Sequence, residues 1–107
     1  GDGSYSRDFT YISNVVQANE RAAMVASPEA VNTVYNIACG ERTSLNCLFE
    51  VLREELSLFD KEIASVKPLY APIRPGDVPH SLASIEKAKR LLAYTPSHIG
   101  RTLEIKL

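Results

Sequence analysis

Apolar positions along the chain fall into two kinds of pattern, stripes at helical spacing and short runs rich in β-forming side chains, and the two kinds alternate. Residues 7–12, RDFTYI, gather aromatic and β-branched types in a run short enough for a strand, entered from the glycine-bearing GDGS turn. Ser13 or Asn14 then offers a cap to a helix with Val15, Ala18, Ala22 and Val25 inward and Gln17, Glu20 and Arg21 on the wet side, ended by Pro28. Residues 33–38, TVYNIA, read as a buried strand closed by Gly40. Thr43 and Ser44 offer an N-cap to the most regular stripe, Leu45, Leu48, Phe49, Leu52, Leu56 and Phe59. Residues 63–71, IASVKPLYA, predict a further strand, pushed to a sheet edge by Pro68, which has no N–H to donate. Ser84 is placed to cap a last helix with Ile85, Ala88 and Leu92 inward and Lys87, Lys89 and Arg90 outward. TLEIKL at the end fits a strand or a helical face equally. The order β-α-β-α-β-α predicts an α/β layer structure.

Composition narrows the function classes. One hundred and seven residues, 45% hydrophobic and 23% charged, fit one globular unit at the small end of the self-supporting range. With 12 Lys+Arg against 13 Asp+Glu the net charge is −1, which supplies no field to hold a nucleic-acid backbone or an anionic membrane surface. No apolar run approaches bilayer length and GDGSYSRD has no signal-peptide core, so the expected location is cytoplasmic. The chain opens without methionine in the middle of a loop, and reads as a piece of something longer. Cys39 and Cys47 match no zinc spacing, and with His80 and His98 distant in sequence they read as ordinary reduced thiols.

The absent motifs matter as much. The glycines stand at 1, 3, 40, 76 and 100, which gives neither a dinucleotide fingerprint nor a P-loop. No tyrosine has a lysine four residues on, and neither histidine has a sequence partner that would make it a general base. What remains suits anion binding. In RPGDVPHSLAS, residues 74–84, Pro75 and Pro79 fix φ and Gly76 frees it, so Arg74 and Asp77 stand on a stiffened turn. Arg7 and Arg74 each present a planar fork that can grip phosphate oxygens, and Asp77 can accept from sugar hydroxyls or orient Arg74. A surface pair between Arg7 and Asp8 explains that arginine equally well without a ligand.

GDGSYSRDFTYISNVVQAN, then VYNIACGERTSLN, then RPGDVPHSLASIEKAKRLL, taken in order and at the right intervals, resemble the C-terminal third of the extended short-chain dehydrogenase/reductase family, in particular its UDP-N-acetylglucosamine and UDP-glucose 4-epimerases. The resemblance weakens only after Pro96. It implies a single substrate-binding region of a Rossmann-type epimerase over residues 1–107, without the N-terminal NAD-binding domain. It also implies diphosphate contact for Arg7 and Arg74, ribose or phosphate-side positioning for Asp77, and a sugar-pocket position for Ser81, where a small side chain leaves room for a 2-acetamido group. The family oxidises the sugar at C4 with tightly held NAD, lets the keto-sugar rotate and returns the hydride to the other face. The glycine-rich loop and the Tyr-x-x-x-Lys pair for that chemistry belong to the part absent here, so the chain alone is expected to bind no cofactor and to be inactive. Two positions depart from the family pattern: Ser84, where Asp is usual, and the ending after Leu107, which lacks the usual aromatic residue and reads as cut.

Other readings stay open at this point. Nucleotide-sugar dehydratases and UDP-glucuronate decarboxylases share the scaffold, and a non-catalytic module for nucleotide sugars or a protein partner would leave the same traces. A region parted from the sheet it packs on should expose apolar surface along TVYNIA and the first helix, and self-association is the expected result.

Overall fold

A computed structural model describes residues 1–98, and the TLEIKL stretch lies outside them. The elements in chain order are β1 (Ser6–Arg7), α1 (Ile12–Met24), a 3₁₀ turn (Pro28–Ala30), β2 (Thr43–Ser44), α2 (Leu45–Ser57), a second 3₁₀ turn (Lys61–Ser65) and α3 (Glu86–Leu92). The described chain forms two compact units. The first contains Gly1–Arg7 and Arg42–Ser81, the second Asp8–Glu41 and residues 82–98.

In the first unit β1 and β2 pair antiparallel, with Ser6 opposite Ser44 and Arg7 opposite Thr43. The Ser44 hydroxyl accepts from the Cys47 amide at 3.1 Å and so caps α2, as the sequence predicts. The helix stops at Ser57, short of Phe59, and no residue of its apolar stripe is fully buried. Residues 63–71 form no strand: Ile63 lies in a 3₁₀ turn initiated by the Asp60 carboxylate, and the stretch from Val66 onward is irregular. Pro68 withholds a donor in the middle of that run, which accounts for the loss of a ladder there.

The second unit holds the core. Ala18, Ala30, Ala38, Ile85, Ala88, Leu92 and Tyr94 are buried together, with Val25, Tyr35 and Leu91 packed around them. Small residues let α1 and α3 approach closely, and the inward positions of α3 are those the helical spacing predicts. Ser84 does not cap α3; buried Ile85 occupies the boundary position with no side-chain cap bond, and the helix begins at Glu86. Ala93, at φ 53°, closes α3 in the left-handed conformation usual for glycine. That turn sends Tyr94 into the core, where its hydroxyl donates to the Ala38 carbonyl at 2.7 Å.

Two predicted strands are corrected here. β1 ends at Arg7 because Asp8 turns to accept the amides of Cys39 and Gly40, each at 2.9 Å, and the chain then enters α1 at Ile12. TVYNIA carries no ladder among the described residues, and its Val34 is 82% exposed while Ala38 is buried. Asn14, expected as a cap, is instead fully buried inside α1 and spends its amide on Ser97 N and His98 O.

Candidate functional site

The RPGD turn folds as its residue types dictate. Gly76 takes φ 85°, Pro75 precedes it, and the Asp77 amide donates back to the Arg74 carbonyl at 3.3 Å, the pattern of a type II turn. Across the turn Arg74 Nε meets Asp77 Oδ2 at 3.2 Å, so Asp77 orients the arginine. The Arg74 side chain is 83% exposed and its two terminal nitrogens have no partner among the described residues. An exposed pair of this kind contributes about 0–1 kcal/mol to stability, too little to account for a proline-glycine turn built around it.

The turn is hydrogen-bonded to β1, seventy residues away in sequence. Ser6 N donates to Pro79 O at 2.9 Å, Ser81 N donates to Ser6 O at 3.2 Å, and Ser6 runs parallel to His80 in a single bridge. Arg7 Nη1 donates to the carbonyls of Ser6 and Val78, at 2.8 and 2.7 Å. Both hydrogens of that nitrogen are thereby taken, while the Nε and Nη2 edge has no partner among the described residues. Arg7 makes no ion pair with Asp8, whose carboxylate is committed to the Cys39 and Gly40 amides. The surface-pair explanation of Arg7 is removed by that geometry.

A cavity of about 340 Å³ opens in the same unit, with Arg74 and Asp77 on its wall beside Tyr5, Asn46, Phe49 and Tyr70. Its volume lies at the low end for a small-molecule site, and aromatic faces with a few convergent polar groups are what such sites use. The Tyr70 hydroxyl donates to Asn46 Oδ1 at 3.1 Å, and Asn46 Nδ2 donates to Asp2 O at 3.2 Å. Gly3 lies beneath them at φ 81°, a conformation that favours glycine, and a Cβ there would displace the Asn46 side-chain amide. Arg7 and Ser81 are not on the cavity wall; they reach its neighbourhood through the bonds from β1 to residues 78–81. Ser81 is exposed and uses only its amide in the contact with Ser6. Asn46 and Tyr70 carry no motif that would single them out in sequence; only the fold brings them together.

Two titratable groups of the second unit are shifted by burial. Burial, and then the nearby Asp8 carboxylate, push the Cys39 thiol above its ordinary range. Burial does the same to the Tyr94 phenol. Both cysteines are free, and no cluster of three metal-ligating side chains occurs among the described residues. No helix among the described residues is long and apolar enough to cross a membrane. The positive-φ glycines, Gly3, Gly40 and Gly76, lie in separate loops, and none belongs to a strand–turn–helix with dinucleotide spacing.

No protein-family model matches the chain. A putative UDP-glucose 4-epimerase of Methanocaldococcus jannaschii is 35% identical over 91 residues, 85% of this chain and 26% of that protein. Among solved structures, a UDP-glucose 4-epimerase from Thermotoga maritima with UDP-glucose is 36% identical at a TM-score of 0.77, covering 95% of this chain and 30% of that one. A UDP-N-acetylglucosamine 4-epimerase from Methanobrevibacter ruminantium, in complex with UDP-N-acetylmuramic acid, is 33% identical at 0.76, over 91% and 28%. A UDP-glucuronic acid 4-epimerase from Bacillus cereus, in complex with UDP-glucuronic acid and NAD, is 28% identical at 0.77, over 95% and 30%. The chain thus spans between a quarter and a third of the length of the proteins it matches.

Proposed function

Because this chain is related in sequence and in fold to a segment of the UDP-sugar 4-epimerases of the extended short-chain dehydrogenase/reductase family, we propose that it supplies the diphosphate- and sugar-binding side of an NAD-dependent nucleotide-sugar 4-epimerase acting in the cytoplasm. The observation that carries the reading is the bonding of β1 to the RPGD turn, which joins Arg7 to the segment bearing Arg74, Asp77 and Ser81. Arg7 offers its Nε–Nη2 edge and Arg74 its terminal nitrogens, two sets of donors suited to the oxygens of one pyrophosphate. Asp77, partly held by Arg74, keeps acceptor capacity for a hydroxyl of the ribose. Ser81 leaves room for an acetamido group on the hexose. NAD, when bound elsewhere in such an enzyme, supplies hydride chemistry at C4. The residues described here do not hold it, and their part is to bind and orient the substrate.

Titration calorimetry of UDP into the chain should give binding of about millimolar strength or tighter, weakened about ten-fold or more in Arg74→Ala. No binding would leave the chain as a fold element only. In an intact epimerase containing this chain, Ser81→Tyr should lower the turnover of UDP-N-acetylglucosamine relative to UDP-glucose; an unchanged ratio would overturn the acetamido assignment. In isolation the chain should associate through side chains such as Met24, Val34 and Leu69, which are more than four-fifths exposed. A concentration-independent monomer in sedimentation velocity would count against that expectation.

A further inference from the structure

Ser6 is 6% exposed and is the one buried residue of the first unit among those described, in a place where a small apolar side chain would be the ordinary occupant. Each of its polar groups is engaged. Its amide donates to Pro79 O, its carbonyl accepts from Ser81 N and from Arg7 Nη1, and its hydroxyl shares a hydrogen bond of 2.8 Å with His80 Nδ1. His80, by contrast, is exposed and makes that one bond among the described residues. The loop it sits in has few means of holding a register, because Pro75 and Pro79 have no N–H and Gly76 has no side chain. Sliding the loop by one residue along β1 would exchange which side chains face which, carrying Ser81 and Val78 away from Ser6 and Arg7. The side-chain bond between Ser6 and His80 is the one contact in this crossing that depends on residue identity at both ends, since the others run from or to main-chain groups.

We propose that Ser6 and His80 act as a positioning pair, locking the arginine-bearing strand in register with the proline-bounded turn so that Arg7 and Ser81 are presented to one ligand; this rests on the diphosphate-binding reading above. Neither residue touches the ligand. Ser6 acts through its neighbour Arg7, and His80 acts through its neighbour Ser81 and through Val78 O, the carbonyl that pins the Arg7 guanidinium.

The test uses UDP as the probe, with five single variants and two double variants. Ser6→Ala and His80→Phe remove one end of the bond each and should weaken UDP binding about five-fold. His80→Asn, which keeps a polar atom near the position of Nδ1, and Ser6→Thr should bind within about two-fold of the parent chain. Combining Ser6→Ala with His80→Phe should cost no more than either alone, and adding Ser6→Ala to Arg7→Ala should cost nothing further, because the pair works through that arginine. Hydrogen exchange reads the register without any ligand. The amides of residues 6 and 81 should exchange about five-fold faster in Ser6→Ala and His80→Phe, with amides in the middle of α2 unchanged. Parent-like exchange at residues 6 and 81 overturns the proposal whatever UDP does. So do parent-like UDP affinity in both variants, losses that add to that of Arg7→Ala, or a failure of His80→Asn to restore binding. A parent chain that binds no UDP, with exchange responding as expected, instead overturns the diphosphate reading and leaves the register lock standing as a structural device only.

Discussion

The two compact units divide the work of the molecule unequally. The second contains every buried apolar side chain of the core cluster and a buried phenol on a buried carbonyl. The first contains the cavity and the RPGD turn, and its single buried residue among those described is a serine. Apolar burial stabilises at roughly 25 cal/mol per Å², so the second unit has a source of stability of its own. The first is organised instead by directional bonds from β1 to β2 and to residues 78–81. A hydrogen bond contributes about 0.5–1.5 kcal/mol net, but it fixes position to a fraction of an ångström. The contrast teaches that the order needed to hold a ligand need not come from the same interactions as the order needed to fold.

A matched pair of truncations tests this most strongly. Leu92→Ala, in the core of the second unit, should cost about 2–4 kcal/mol in denaturant unfolding, whereas Leu58→Ala, at a position 80% exposed, should cost less than about 0.5 kcal/mol. Equal costs would abolish the distinction. Next in size is a pair of glycines within the first unit. Gly3→Ala combines a strained φ with a clash on Asn46 and should cost about 2–3 kcal/mol, while Gly76→Ala, with φ 85° but open space around it, should cost about 1 kcal/mol. Thermal melts of the two variants rank them directly.

Alkaline pH should act on the second unit. The Cys39 thiol and the Tyr94 phenol both bind their protons more tightly folded than unfolded. Their contribution is therefore complete below the unfolded values near 9.0 and 10.0 and is lost as pH rises from there through the folded values. Stability should fall from about pH 9 upward, and Cys39→Ala should flatten the first part of the fall; a flat profile between pH 8 and about 10 would contradict the burial of both groups. The smallest effect is expected at the candidate site: Arg74→Ala should change stability by less than about 0.5 kcal/mol, since its partner Asp77 stays solvated, even though UDP binding depends on it. A large loss of stability would mean that the turn supports the fold rather than a ligand.

What could be read from the sequence was local. Ser44 capping α2, the inward positions Ile85, Ala88 and Leu92, and the left-handed Gly76 between Arg74 and Asp77 each follow from residues a few places apart. The misreadings concern partners far along the chain. Whether RDFTYI continues as a strand is decided by Cys39 and Gly40, which draw Asp8 out of it, and whether Asn14 caps a helix is decided by Ser97 and His98. TVYNIA has the composition of a buried strand, but composition does not supply the neighbouring ladder that a strand requires. Similarly, Arg7, Arg74, Asp77 and Ser81 stand out in their motifs, while the Ser6–His80 bond and the Asn46–Tyr70 wall of the cavity do not exist until the fold joins them.

The chain has five tyrosines and no tryptophan, so its near-ultraviolet spectrum is a tyrosine spectrum. Tyr94 is 1% exposed, with its hydroxyl on a carbonyl, and Tyr70 is 55% exposed on the cavity wall. Tyr5 and Tyr70 belong to the first unit and Tyr11, Tyr35 and Tyr94 to the second, with Tyr94 the shielded ring of the five and Tyr70 a solvated one. Second-derivative absorbance reports the mean exposure of all five rings, and a Tyr94→Phe or Tyr70→Phe difference isolates the shielded or the solvated one without a label.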